Sequence, residues 1–431
     1  MRTIISYFSM GFVLFAQTCH AAAIDEVHAD IDRKAAQVLP RVIEWRRDFH
    51  QHPELPNREF RTAEIIARHL KALNIDVKTG VAGTGVVATL YGAKPGPVVA
   101  LRADMDGGIG NDNAKLPYAS RVESEFMGKK VVLAHLLGHD AHTAILMGVA
   151  ETLAQMRSNL PGTVKFIFQP AEGLSLLPPG EEGGAELMIK EGALENPTPS
   201  AIFGLHVGDY PAGSIHYRSG AVLASQHRLK VLIKGRPAFA AAPWLGRDPL
   251  PVAAHILLAL QDITARQSDM THAPALISIG ALHSGEFYNR TAATASMDGT
   301  IRLLDKTMES EIFARIRQTV SGFAAGNDLG AEVDIQPVVP LTNNDPELVE
   351  DMLPTLRRSG LAGSVSVMDS SFGAENFGFF SQKIPGFYFV LGVRAPEAEN
   401  VGDIDEGSLV VGVKALASLA YDYLDRHRAQ D

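Results

Sequence analysis

The sequence predicts an α/β protein in which a small βαββαβ domain is inserted into a larger sheet-and-helix domain. Three observations carry that expectation. Near-continuous apolar strands alternate with helical runs up to about Val207, a βαββαβ series occupies the region from Gln226 to Pro337, and the first pattern resumes afterwards. At 431 residues the chain also exceeds what one ordinary core organises. The expected limits are 24–225 with 338–431 for the larger domain and 226–337 for the insert, preceded by a processed segment, 1–23.

That first segment reads as a signal peptide. Arg2 gives a positive start, Ile4 to Ala16 an apolar core too short for a comfortable membrane span, and Ala21-Ala22-Ala23 a small-residue cleavage site. Cys19, the only cysteine, lies inside it, so the mature protein would carry no disulfide and no thiolate ligand. The expected location is periplasmic or secreted, with no membrane contact after cleavage. A net charge of -10 with no basic stripe argues against nucleic acid.

Amphipathic spacing predicts helices over Ala35 to Gln51 and Glu59 to Leu73, separated by His52-Pro53. Strands follow at Ile75, Thr84 and Pro97, the last two of the apolar type found in buried sheets. A helix from Thr143, a strand from Thr163 and a helix near Ala185 come next, then a strand from Ala201 through His206. The insert reads as strand His227 to Ile233, helix Pro249 to Gln267, strands Ala275 to Ala281 and Thr294 to Arg302, helix Met308 to Ala325, and strand Ala331 to Pro337. Helix Pro346 to Arg358, strand Phe387 to Leu391 and a helix from Gly407 to His427 close the chain.

Chemistry concentrates in Val131 to Thr143, where His135, His139, Asp140 and His142 crowd a strand-to-helix junction. Neutral imidazoles and carboxylates at such a place suit a zinc-type ion, and they equally suit a polar loop whose histidines bond to backbone. His135 and His142 read as structural rather than as ligands.

With these residues placed, the chain resembles the metallo-amidohydrolases of the aminoacylase and carboxypeptidase superfamily, in the branch of hippurate, N-acyl-amino-acid and auxin-conjugate hydrolases. The resemblance rests on Arg47-Asp-Phe-His-Gln-His-Pro-Glu54, Ala100-Leu-Arg-Ala-Asp-Met-Asp106, Gly138-His-Asp-Ala-His-Thr143, Phe168-Gln-Pro-Ala-Glu172, Gly180-Glu-Glu-Gly-Gly184, Gly204-Leu-His-Val207, Gly299-Thr-Ile-Arg302 and Gly373-Ala-Glu-Asn-Phe377. It implies a zinc-peptidase-like α/β domain with a ferredoxin-like lid. It also implies a centre of two divalent ions held by a Cys, a His, a Glu and two further His, with a glutamate as general base on the bridging water. A lid histidine would stabilise the oxyanion.

Carried over by position, that centre is degenerate. The Cys-Gly-His-Asp motif reads Leu137-Gly138-His139-Asp140, and Ala-Glu-Glu reads Ala171-Glu172-Gly173. The C-terminal Asn-His reads Asn400-Val401, before Asp405-Glu406, and the lid Thr-His-Gly-Ala reads Ala238-Phe239-Ala240-Ala241. The resemblance leaves His139 and His206 as a partial metal set, Glu172 as a vestigial general base and Asn289 as a substrate-binding residue. Leu137 and Phe239 are expected to fill the space the ions left.

The expected function is therefore an exported, catalytically impaired or inactive amidohydrolase relative that binds an N-acyl-amino acid or peptide, with no cofactor or one weakly held Zn, Mn or Co ion. The alternative is a working hydrolase with a remodelled one-ion site, in which Glu172 or Glu375 is recruited as a ligand. A homo- or hetero-oligomer through the lid is a third expectation.

Overall fold

A computed structural model of the chain describes residues 3–113, 115–178, 180–360, 364–395 and 403–428, with side chains described from Ile24 onward. The side chains of the expected signal peptide and the Asn400-Val401 pair lie outside the described residues. Among the described residues no helix is long and apolar enough to cross a membrane. The chain is a mixed α/β protein that divides into two compact units.

The first unit comprises residues 1–217, 347–367 and 384–431. Its eight-stranded sheet runs in the order Asp76–Val81, Gly85–Tyr91, Pro161–Gln169, Lys94–Asp104, Ala201–Pro211, Gly386–Arg394, Ile215–Tyr217, Val365–Val367. The four central strands pair in parallel. Their apolar runs are buried on both faces, as parallel strands require. In such a sheet the crevice at the carboxyl ends of the strands is the ordinary place for chemistry.

One helix spans Thr3–Gln51, longer than the expected run from Ala35, and it contains Pro40. The reason is visible in Ile31, Ala35, Val38 and Val42, all buried at three- and four-residue spacings. That stripe anchors the helix on both sides of a residue that should interrupt it. The helix His139–Ala154 is buried on nearly every side, as an all-round apolar helix must be. Gly148 permits this, since a Cβ there would stand 2.7 Å from Val42 Cγ2 and 3.2 Å from Val413 Cγ2.

A buried histidine in this packing yields a stability prediction. His69 packs against Trp45 in a tilted arrangement with centroids 4.5 Å apart, and its Nε2 donates to Met147 O at 3.3 Å. Burial pulls its pKa down to about 4. A histidine depressed by folding contributes stability above its unfolded pKa and loses it as pH falls toward the folded value. His69→Gln is expected to reduce the loss of stability between neutral pH and about pH 5 by on the order of 2 kcal/mol. Paired urea titrations at the two pH values check this, and equal losses in both proteins would refute it.

The second unit comprises residues 218–346 and 368–383. Its four-stranded antiparallel sheet has the order Ala275–Ser284, Thr294–Leu303, Ser225–Lys234, Gly330–Val339. Helices Pro249–Asp262 and Glu309–Ala325 share a core with Leu229, Val231, Ile233 and Ile301. This is the ferredoxin-like arrangement. The unit extends beyond 226–337 because Gly220–Leu223 pairs with Thr342–Asn344.

Candidate metal centre

The cluster forms where three elements of the first unit end or begin. Strand Lys94–Asp104 delivers Asp104 and, two residues later, Asp106, both buried. Strand Ala201–Pro211 carries His206. The chain enters helix His139–Ala154 through Gly138 at φ +86, where a Cβ would stand 2.2 Å from Val207 Cγ2. Only glycine suits that entry, and it sets His139 and His142 in the helix's first turn beside the strand.

Hydrogen bonds assign the nitrogens. His139 Nδ1 donates to Asp106 O at 2.9 Å and lies 3.1 Å from Asp106 Oδ1. His206 Nδ1 donates to Val207 O at 2.6 Å. Since a carbonyl only accepts, each neutral ring carries its lone pair on Nε2, where an ion could take it. His142 differs. Val207 N–H donates to its Nε2 at 2.9 Å, and its Nδ1 donates to Asp104 Oδ1 at 2.5 Å. Those bonds fit the structural role expected of His142, although it also stands inside the cluster.

The three histidines offer ligand atoms all within 4.8 Å of one another. A tetrahedral zinc ion with bonds near 2.1 Å holds its donors about 3.4 Å apart, but His142 could join only by giving up its bond from Val207 N–H. Asp104 Oδ2, 4.0 Å from His139 Nε2, is an alternative third donor. It accepts from Arg102 Nη1 at 2.8 Å.

Electrostatics favour a cation here. Burial raises the Asp104 pKa, but the charges of His139, Arg102 and His142 outweigh it and hold this carboxyl well below its usual range. Burial lowers the His139 pKa, but Asp104 and Asp106, with a smaller contribution from Glu172, raise it well above the ordinary value. The two carboxylates thus favour positive charge at His139, whether from a proton or from an ion.

Behind the cluster, Asp140 accepts from Arg46 Nε and His50 Nδ1, each at 2.8 Å, tying the helix start to helix Thr3–Gln51. Burial opposes the Asp140 charge, yet Arg46 and His50 hold its carboxyl far below the usual range. Burial pulls the His135 pKa down to about 4, so this ring is neutral in the fold.

Glu172 follows strand Pro161–Gln169 and is half-buried. Gly173 N–H donates to Asp106 Oδ2 at 2.8 Å. Asn289 is exposed in the second unit, where its carbonyl accepts from Ala240 N–H at 2.9 Å. Glu375 is buried in that unit with its Oε1 accepting Phe377 N–H at 3.0 Å. Glu406 pairs with Arg47 and Arg46.

Two expectations about packing fail. Leu137 is 58% exposed and Phe239 is 75% exposed, so neither fills a vacated space. Leu137 sits before the helix on a turn that points outward, and Phe239 lies on a loop bridged to Arg290. Among the described residues the set suits one zinc-type ion. It does not suit two, because Leu137 and Gly173 supply no donor side chains. Asp104 and Asp106 were missed as site residues. Their signal was a pair of carboxylates just past the end of an apolar strand.

Residues 100–422 match the family described as Peptidase family M20/M25/M40. The chain is 34% identical to Thermostable carboxypeptidase 1 of Saccharolobus solfataricus, over 89% of this chain and 96% of that protein. It is 33% identical to N-acetylcysteine deacetylase of Bacillus subtilis, over 89% of this chain and 97% of that protein. The crystal structure of Bacillus subtilis YXEP, titled a dinuclear metal-binding peptidase, superposes with a TM-score of 0.76 at 32% identity, covering 90% of this chain and 99% of that one.

Proposed function

The chain belongs to peptidase family M20/M25/M40, in its amidohydrolase branch, and on that premise we propose that it is a metal-dependent hydrolase of N-acyl-amino-acid amide bonds with a one-ion centre. The observation that carries this reading is the cluster of His139, His142 and His206, backed by Asp104 and Asp106. Imidazole ligands oriented by carboxylates are the usual construction of a functional metal site. Relatives named for carboxypeptidase and deacetylase activity support a working enzyme over an inactive one.

When bound, a zinc-type ion supplies Lewis acidity at the scissile carbonyl and lowers the pKa of water. His139 and His206 would present their Nε2 atoms to it with Asp104 as the third donor, because both nitrogens of His142 are already committed. The third donor need not be Glu172 or Glu375, as the remodelled site in the sequence reading required. Glu172 is left to accept a proton from the attacking water and return it to the leaving amine, the ordinary task of a general base.

The loss of donor side chains at Leu137 and Gly173 favours a second reading, a binder of N-acyl-amino acids without turnover. One experiment separates the two. The protein is loaded with zinc, manganese or cobalt, and amino-acid release is followed from a panel of N-acetyl and N-benzoyl amino acids, with and without chelator. Release that stops on chelation supports the hydrolase. Thermal stabilisation by the same compounds without release would support the binder.

A further inference from the structure

We infer that Glu59 is a positioning residue for the reaction: with Asp106, its buried carboxylate clamps the backbone on both sides of Glu172 and so sets where that side chain points. The inference rests on the reading of Glu172 as the base, and it adds a residue lying far from the cluster in sequence.

Glu59 is 0% exposed and immediately precedes helix Phe60–Ala72. Its Oε1 accepts from Ala171 N–H at 2.8 Å, and its Oε2 accepts from Thr84 Oγ1 at 2.5 Å. On the other side of Glu172, Gly173 N–H donates to Asp106 Oδ2 at 2.8 Å. Both amides flanking the candidate base therefore end on buried carboxylates. Asp106 also receives His139 Nδ1, which links the turn to the metal cluster.

The turn needs holding. Ala171 has φ +48, a left-handed conformation that residues with a Cβ rarely adopt without external support. Ala171 O also accepts from Gly184 N–H at 3.2 Å, so its peptide groups are fixed at both ends. A carboxylate is a costly choice for this task. Burial and the charge of Asp106 push the Glu59 pKa up to about 7. A group kept against that cost, with both oxygens aimed at a strained turn beside the candidate base, is placed for function rather than for packing.

The test uses the full zinc-loaded protein with three variants and reads amide exchange, metal content and kinetics on N-acetyl amino acids. Glu59→Leu removes both bonds. Exchange of the 171–173 amides is expected to rise at least about tenfold while strand Pro161–Gln169 stays protected. Its kcat is expected to fall about 10- to 100-fold with KM and bound zinc nearly unchanged, the pattern of a misaimed group. Glu59→Gln can still accept Ala171 N–H and donate to Thr84, so it should stay within about threefold of wild type. Thr84→Val loosens one bond only and gives a smaller change in the same direction, which keeps the inference testable if Glu59→Leu fails to fold.

Unchanged exchange at 171–173 in Glu59→Leu, or in Thr84→Val should the former not fold, would overturn the clamp whatever the activity. A KM rise or zinc loss at constant kcat would also overturn it, assigning Glu59 to another task. Wild-type protein with bound zinc and no hydrolysis would instead overturn the functional reading, and that failure shows before any variant is made.

Discussion

Incubated with zinc, manganese or cobalt and then desalted, the wild-type chain is expected to retain one ion, and His139→Ala less than about a tenth of that. His139 contributes one donor atom, Nε2, and that atom is held in place from behind. Its Nδ1–H is fixed by Asp106, so the ring cannot turn its Nε2 away without losing a buried hydrogen bond. Three protein donors are the usual minimum for a catalytic zinc, and two leave the ion largely to water. Removing the imidazole also takes from Asp106 the ring that bonds it and leaves Asp104 with Arg102 alone among its nearest cationic partners apart from His142. The pH dependence has a definite sign. Asp104 and Asp106 raise the His139 pKa well above its ordinary value, so an ion competes with a proton for this ring. Affinity therefore rises with pH and proton release accompanies loading, both measurable by calorimetry in two buffers. Two ions per wild-type chain would mean donors outside this cluster, and none would return the protein to the binder reading.

Most of the fold was legible because burial wrote itself into local pattern. The central strands are apolar on both faces, and the βαββαβ insert follows the alternation that one covered face imposes. The first helix was legible from Ala35 through Pro40 to Gln51, because the apolar spacing that the buried stripe from Ile31 to Val42 creates outweighs the local rule for a break, whereas its extension before Ala35 was not drawn. Leu137 and Phe239 show a second limit. An apolar residue in a polar motif suggests filled space, yet both face outward, because exposure is decided by the turn and not by the residue type. At the site, position within a matched motif was readable, and His139 and His206 do stand together. Which ring nitrogen is committed was not readable, because that depends on Asp106 and Val207 through the fold. Glu59 was invisible for the same reason: it reaches Ala171 across 112 residues of sequence.

Glu172→Gln is expected to lower the rate of N-acyl-amino-acid hydrolysis by about 10²- to 10⁴-fold while the ion stays bound. The two halves of that outcome belong together. If Glu172 completed the ligand set, nothing obvious would remain to take a proton from water, and substitution would cost the ion. The geometry offers a way out, since Asp104 Oδ2 lies 4.0 Å from His139 Nε2. Asp104 can be the third donor and leave the half-buried Glu172 to its proton. The turn that carries it is fixed through Ala171 and Gly173 N–H groups, neither of which involves the Glu172 side chain. The amide should therefore occupy the same position, with its capacity to accept a proton removed and the backbone unchanged. Rate loss with zinc retained assigns Glu172 as the base. Rate loss with zinc lost makes it a ligand, and then the proton must leave by another group, for which the remaining carboxylates of the cluster, Asp104 and Asp106, become the residues to substitute next.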